Sequence, residues 1–166
     1  MKVEFNLKYH SPWDNNNKPL TITEGVISGL LYVKWNYEGI DHELIHDKDN
    51  NISSLYISQK FIIVCYSSKS INNTFPNNLV MYNLKKEIIK RIPPPVPINW
   101  DRISPVHGMG EIEELDGEKY LSVGILTDNY FINDGNLMGL IEIRWLNLNT
   151  FEYHPTKNDL IKDFGR

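Results

Sequence analysis

Apolar and polar residues alternate along most of this chain with a period of two. Val3, Phe5, Leu7 and Tyr9 alternate with Lys2, Glu4, Asn6, Lys8 and His10, which predicts an opening β-strand and lacks the apolar run of a secretory signal. Ile52-Ser53-Ser54-Leu55 leads into Lys60-Phe61-Ile62-Ile63-Val64. Much later, Ile112-Glu113-Glu114-Leu115 leads into Lys119-Tyr120-Leu121-Ser122-Val123, the same arrangement with a one-residue shift. Each stretch is followed by a polar loop, 67–78 or 127–138, and then by a strand closing in an Asn-Leu pair, Asn83-Leu84 or Asn147-Leu148. A turn through Lys85-Lys86 or Asn149-Thr150 precedes a last short strand, 87–92 or 151–154. Two four-stranded meanders in tandem are expected.

The sharpest local signal is Asp116-Gly117 between alternating strands, because this pair supplies the positive φ values of a type I′ hairpin turn. Between the meanders, residues 92–100 carry Pro93, Pro94, Pro95 and Pro97. Proline removes ladder donors and fixes an extended conformation, so this run reads as a rigid seam within a single domain spanning 1–166. The expected fold is all-β and predominantly antiparallel, the meanders forming a β-sandwich or half-open sheet pair. Any helix is confined to 157–164.

Composition sharpens this picture. The chain of 166 residues contains no alanine, while isoleucine (20) and asparagine (19) are its commonest residues. Alanine is the best helix former, whereas isoleucine suits pleated sheet and asparagine suits turns. A single cysteine, Cys65, excludes an internal disulfide framework and a four-thiolate zinc site. The longest apolar run, Phe61-Ile62-Ile63-Val64-Cys65-Tyr66, is far too short to span a bilayer, so a cytoplasmic protein without membrane contact is expected. Net charge is −4 and the pI is about 5.7, which argues against a phosphate-tracking nucleic-acid surface and favours a basic protein partner.

Candidate chemistry begins with His42-Glu43-Leu44-Ile45-His46, which matches H-E-x-x-H letter for letter. Over these five residues the chain resembles the zincin metalloproteases. That resemblance implies a zinc hydrolase with His42 and His46 as metal ligands and Glu43 as general base. Its context points elsewhere, because Gly39 precedes the motif and Asp49-Asn50-Asn51 follows it, leaving no room for the helix the motif needs. A strand ending in a turn at 47–51 is the expected structure. Cys65 lies inside the most apolar strand and reads as a core thiol. His10, His107 and His154 are scattered, and Gly108-Met109-Gly110 lacks the third glycine and following helix of a phosphate cradle. No catalytic residue and no cofactor is expected.

Surface character supplies the remaining candidates. Glu111, Glu113, Glu114, Asp116 and Glu118 place five acids within eight residues around the hairpin tip. With Trp100, Asp101 and Tyr130 they form the expected partner-binding surface, the acids attracting a cationic protein much as nucleic-acid phosphates would. The loops 67–78 and 127–138, carrying Phe75, Tyr130 and Phe131 among small polar residues, are a second candidate interface. Trp13, Trp35, Trp100 and Trp145 leave open a carbohydrate-binding β-sandwich. A short, acidic, alanine-free, all-β chain of this texture resembles the immunity proteins of bacterial polymorphic-toxin and contact-dependent growth inhibition systems. The resemblance implies a cytoplasmic neutraliser that binds a cognate toxin domain, often a basic nuclease or RNase, and occludes its active site.

Overall fold

A computed structural model describes residues 2–9, 20–133 and 136–162, and the side chains of these except 128–133 and 136–138. The described chain is all-β and antiparallel, without helix. In order, the strands are β1 (Phe5–Tyr9), β2 (Leu20–Ile22), β3 (Gly25–Ser28), β4 (Leu30–Tyr37), β5 (Ile40–Ile45), β6 (Ile52–Ile57) and β7 (Phe61–Tyr66). They continue as β8 (Leu79–Asn83), β9 (Ile88–Arg91), β10 (Val106–Leu115), β11 (Glu118–Asn133), β12 (Asn136–Asn147) and β13 (Tyr153–Lys162). The chain divides into two compact units, Met1–Ile92 and Pro93–Arg166, and the boundary falls at the first proline of the expected seam.

In the first unit a four-stranded sheet, β2-β1-β4-β5, packs on a five-stranded sheet, β3-β6-β7-β8-β9. The expected first meander is β6 to β9, with Ile57 opposite Ile62 and Ile62 opposite Tyr82. Its sandwich partner is the N-terminal sheet. Alternation explains the core: Phe5 and Leu7 of β1 and Val33 and Trp35 of β4 point inward, where they meet Leu55, Ile57, Ile62 and Val64 from the other sheet. The buried indole Nε1 of Trp35 donates to the Leu84 carbonyl at 2.8 Å, tying one sheet to the turn that ends β8. Tyr66 and Tyr82 share a buried hydroxyl–hydroxyl bond of 2.8 Å.

The second unit is the second meander, β10-β11-β12-β13 in sequential order. Leu115 pairs with Glu118 around Asp116 (φ 52°) and Gly117 (φ 80°), the positive pair that a type I′ turn requires. One face carries Leu121, Val123, Ile125 and Leu146, all fully buried. Glu142 and Arg144 stand on that same face and are also buried. The Glu142 carboxylate accepts the backbone N–H groups of Ile98 and Asn99, each at 2.7 Å, and Arg144 donates to the carbonyls of Val96 and, at 2.9 Å, His154. The proline segment is therefore strapped to the sheet by a buried ion pair.

Two expectations fail in this unit. Residues 127–138 were expected as a loop, but β11 runs on to Asn133 and β12 begins at Asn136, pairing Thr127 with Leu140 and Phe131 with Met138. The aromatic and β-branched residues in that stretch favour strand, and a two-residue bulge between Thr127 and Tyr130 absorbs the polar Asp128-Asn129. Residues 157–162, allowed as helix, belong to β13 and pair with β12 up to Lys162 opposite Leu140.

Candidate functional site

Strand β10 is bulged between Met109 and Ile112, so that Gly110 and Glu111 together face Ser122. Ser122 Oγ accepts the Glu111 N–H at 2.8 Å, and a Cβ at Gly110 would stand 2.6 Å from that oxygen, which is why glycine occupies the bulge. Beyond the bulge the register sorts the acids. Glu113 lies opposite Tyr120 and Glu118 opposite Leu115, on the sheet face that also carries Asn147 and Trp145. Glu114, opposite Lys119, lies on the other face.

The five expected acids are therefore not one surface. Lys157 Nζ lies 3.4 Å from the Glu113 carboxylate and 4.7 Å from the centre of the Trp145 ring, so Glu113 is already matched by a cation. Glu118 accepts a hydrogen bond from the Asn147 amide. Asp116 is exposed in the turn, and Glu111 and Glu114 are exposed along the strand.

Meander topology adds partners that the sequence reading did not include. The β10–β11 and β12–β13 turns emerge at the same end of the sheet, and between them lies a cleft of about 410 Å³. Asp116, Glu118 and Tyr120 line one side, and Glu152, Tyr153 and His154 line the other. The Tyr120 and His154 rings meet at 5.8 Å. His154 Nδ1 accepts the backbone N–H groups of Lys157 at 2.9 Å and Thr156 at 3.3 Å, while the Tyr153 hydroxyl donates to the Pro93 carbonyl at 2.9 Å. Three carboxylates over tyrosine and imidazole walls suit a cationic side chain: the acids accept its hydrogen bonds and a guanidinium can lie flat on the rings. Alternate turns of a meander share one end, and that rule applied to the repeat would have found Glu152 and His154.

Other expected residues fall elsewhere. Trp100 and Asp101 follow the strap and do not line this cleft; the Arg102 guanidinium stands 5.9 Å from the Trp100 ring centre. Tyr130 belongs to β11, and its side chain lies outside the described residues, as does Trp13. Trp35 and Trp145 are buried, so neither offers a face for a sugar to stack on. Cys65 is fully buried, and burial pushes its thiol up to about 12 against the opposing hydrogen bonds of Ser53 and Ser54.

The H-E-x-x-H segment lies on β5 and the turn after it, not on a helix. Residues four apart on a strand stand about 13 Å from each other, so His42 and His46 are not brought together as the zinc reading requires. His42 stacks on its cross-strand neighbour Trp35, with ring centres 5.5 Å apart. His46 Nδ1 accepts the Ile52 N–H at 3.0 Å. Glu43 faces Lys34 at 3.7 Å. Among the described residues no cluster of three or more His, Cys, Asp or Glu side chains is arranged to hold a metal ion, and no helix is long and apolar enough to cross a membrane. Fold and site together define an all-β, antiparallel protein with an acidic, aromatic-walled cleft at the hairpin ends of its second unit. Comparison with models of protein families, with curated proteins and with solved structures finds no match.

Proposed function

We propose that this is a non-enzymatic binding protein that acts in the cytoplasm by receiving a basic protein partner at the hairpin ends of its second unit. The observation that carries this reading is the convergence of Asp116, Glu118 and Glu152 around one cleft walled by Tyr120 and His154. Carboxylates at a concave site raise the association rate of a cationic partner, and aromatic walls give it something to pack against. The partner that suits the chain's resemblance to immunity proteins is a cognate toxin domain, a basic nuclease or RNase whose active site the hairpin ends would cover.

The test pairs this chain with the product of the reading frame immediately upstream of its gene. Co-expression should relieve growth inhibition by that product, and the two should co-purify at a fixed ratio. An upstream product that is neither toxic nor retained by this chain would remove the toxin-neutralising reading.

A further inference from the structure

The first unit ends on one side in two unlike edge strands. Among the described residues, strand β5 closes the N-terminal sheet and β9 closes the five-stranded sheet, each hydrogen-bonded to a neighbouring strand on one side only. Both edges flank the same side of the sandwich. Lys85 Nζ, in the turn before β9, lies 2.8 Å from the carboxylate of Glu38, in the turn before β5. A cleft of about 250 Å³ lies beside β5, with Leu44 and Ile45 on one side and Tyr82 of β8 and Lys86 of the turn before β9 on the other.

An exposed edge is a template for another strand, and proteins guard such edges with charge. These two edges carry opposite charge. Strand β5 exposes Asp41 and Glu43; β9 exposes Lys90 and Arg91. Each also exposes isoleucines, Ile40 (62%) and Ile45 (45%) on β5, Ile88 (48%) and Ile89 (51%) on β9. Pairing like with like, β5 on β5 or β9 on β9, would gather four charges of one sign. Pairing unlike edges sets opposite charges side by side, with Glu43 also within 3.7 Å of Lys34, and covers the isoleucines.

We propose that the occupant of this side is a second copy of the chain, its β9 added to β5 and its β5 added to β9. A twofold axis parallel to the strands places both contacts at once, so the assembly closes as a dimer and does not grow into a fibre. The strands leave linked turns at the same end, so each new pair is parallel. Glu43 lies opposite the outward-facing Lys34, and Lys90 lies opposite Met81, whose neighbours Val80 and Tyr82 point into the core. Glu43 and the second copy's Lys90 thus share the outer face of each extended sheet.

Sedimentation equilibrium of the full chain at high micromolar concentration should give twice the 19.4 kDa chain mass. Glu43→Lys or Lys90→Glu alone should weaken self-association about tenfold or more, since each sets like charges face to face in both contacts. Mixing the two variants should restore a dimer, because the heterodimer pairs opposite charges twice. Ile89→Lys, at an exposed position, should weaken it without a charge partner to rescue it. A wild-type chain that sediments at its single mass overturns the proposal. So does a dimer untouched by all three substitutions, or two variants with wild-type circular dichroism that fail to associate when mixed.

Discussion

Asn83 and Asn147 hold equivalent turns in the two meanders by the same side-chain device. Asn83 Oδ1 accepts the N–H groups of Lys85 and Glu87 at 3.0 and 2.9 Å; Asn147 Oδ1 accepts those of Asn149 and Thr150 at 2.8 and 3.0 Å. Each amide nitrogen then donates to a carboxylate, Glu87 in one turn and Glu118 in the other. The repeated Asn-Leu pair is thus a turn-closing residue followed by an apolar anchor. Asn83→Ala and Asn147→Ala should each lower stability by about 1–2 kcal/mol in urea unfolding, the net value of two hydrogen bonds accepted at a partly solvated turn. Asn147→Asp keeps the acceptor but sets a carboxylate against Glu118. It should therefore be less stable than Asn147→Ala at neutral pH, and the gap should narrow in acid.

The clamp on the proline strap should be far less tolerant. Glu142 is fully buried and accepts two backbone N–H groups, which a glutamine oxygen can replace only in part while leaving Arg144 without its countercharge. Glu142→Gln should cost about 3–5 kcal/mol, the usual consequence of stranding one member of a buried pair. Replacing both members, as Glu142→Leu with Arg144→Met, should cost less than the sum of the single changes. Urea unfolding measures the energies, and chymotrypsin cleavage near Trp100 reports release of the strap.

Where the sequence was legible, one local rule decided the outcome. Asp116-Gly117 allows little but a type I′ turn, and the repeated succession of strand pair, polar stretch and Asn-Leu pair laid out the order of β6 to β9 and β10 to β13. The extension of β11 through Tyr130 was hidden because Asp128 and Asn129 look like loop residues, and only pairing with β12 makes a bulge of them. The candidate cleft was half legible. Asp116 and Glu118 stand out as charge, whereas Glu152 and His154 join them through the spatial neighbourhood of two turns. Glu142 and Arg144 are charged residues at alternating positions of a strand; their burial depends on the strap folding over them, a long-range event that periodicity does not record.

Cys65 should behave as a closed thiol. Burial raises it from 9.0 to about 12, so at pH 8 a thiol reagent should label the native protein negligibly and the urea-unfolded protein fully. The same shift sets a sign for stability. Because the folded state holds the proton more tightly, the contribution of this group is intact below the unfolded value of 9.0 and is lost as pH rises toward about 12. Cys65→Val removes that titration, and the alkaline loss of stability should be correspondingly smaller than in the wild type. Rapid native labelling at pH 8 would contradict the burial.

Association with a basic partner should depend on the hairpin-end carboxylates and not on acidity in general. Asp116, Glu118 and Glu152 line one cleft, whereas Glu113 is already paired with Lys157 and Glu114 lies on the other face. Asp116→Asn, Glu118→Gln and Glu152→Gln together should therefore slow association about tenfold or more. Asparagine is the proper replacement in the turn, since Asn-Gly keeps the type I′ geometry, and glutamine at 118 still offers an oxygen to Asn147. Glu114→Gln on the opposite face should leave the rate near wild type. Salt should act the same way, because attraction reaching up to a Debye length, about 8 Å at physiological ionic strength, governs encounter more than dissociation, and added salt shortens that reach. Surface plasmon resonance against the upstream gene product separates the two rates. Equal association rates for the triple variant and the wild type would move the interface away from this cleft.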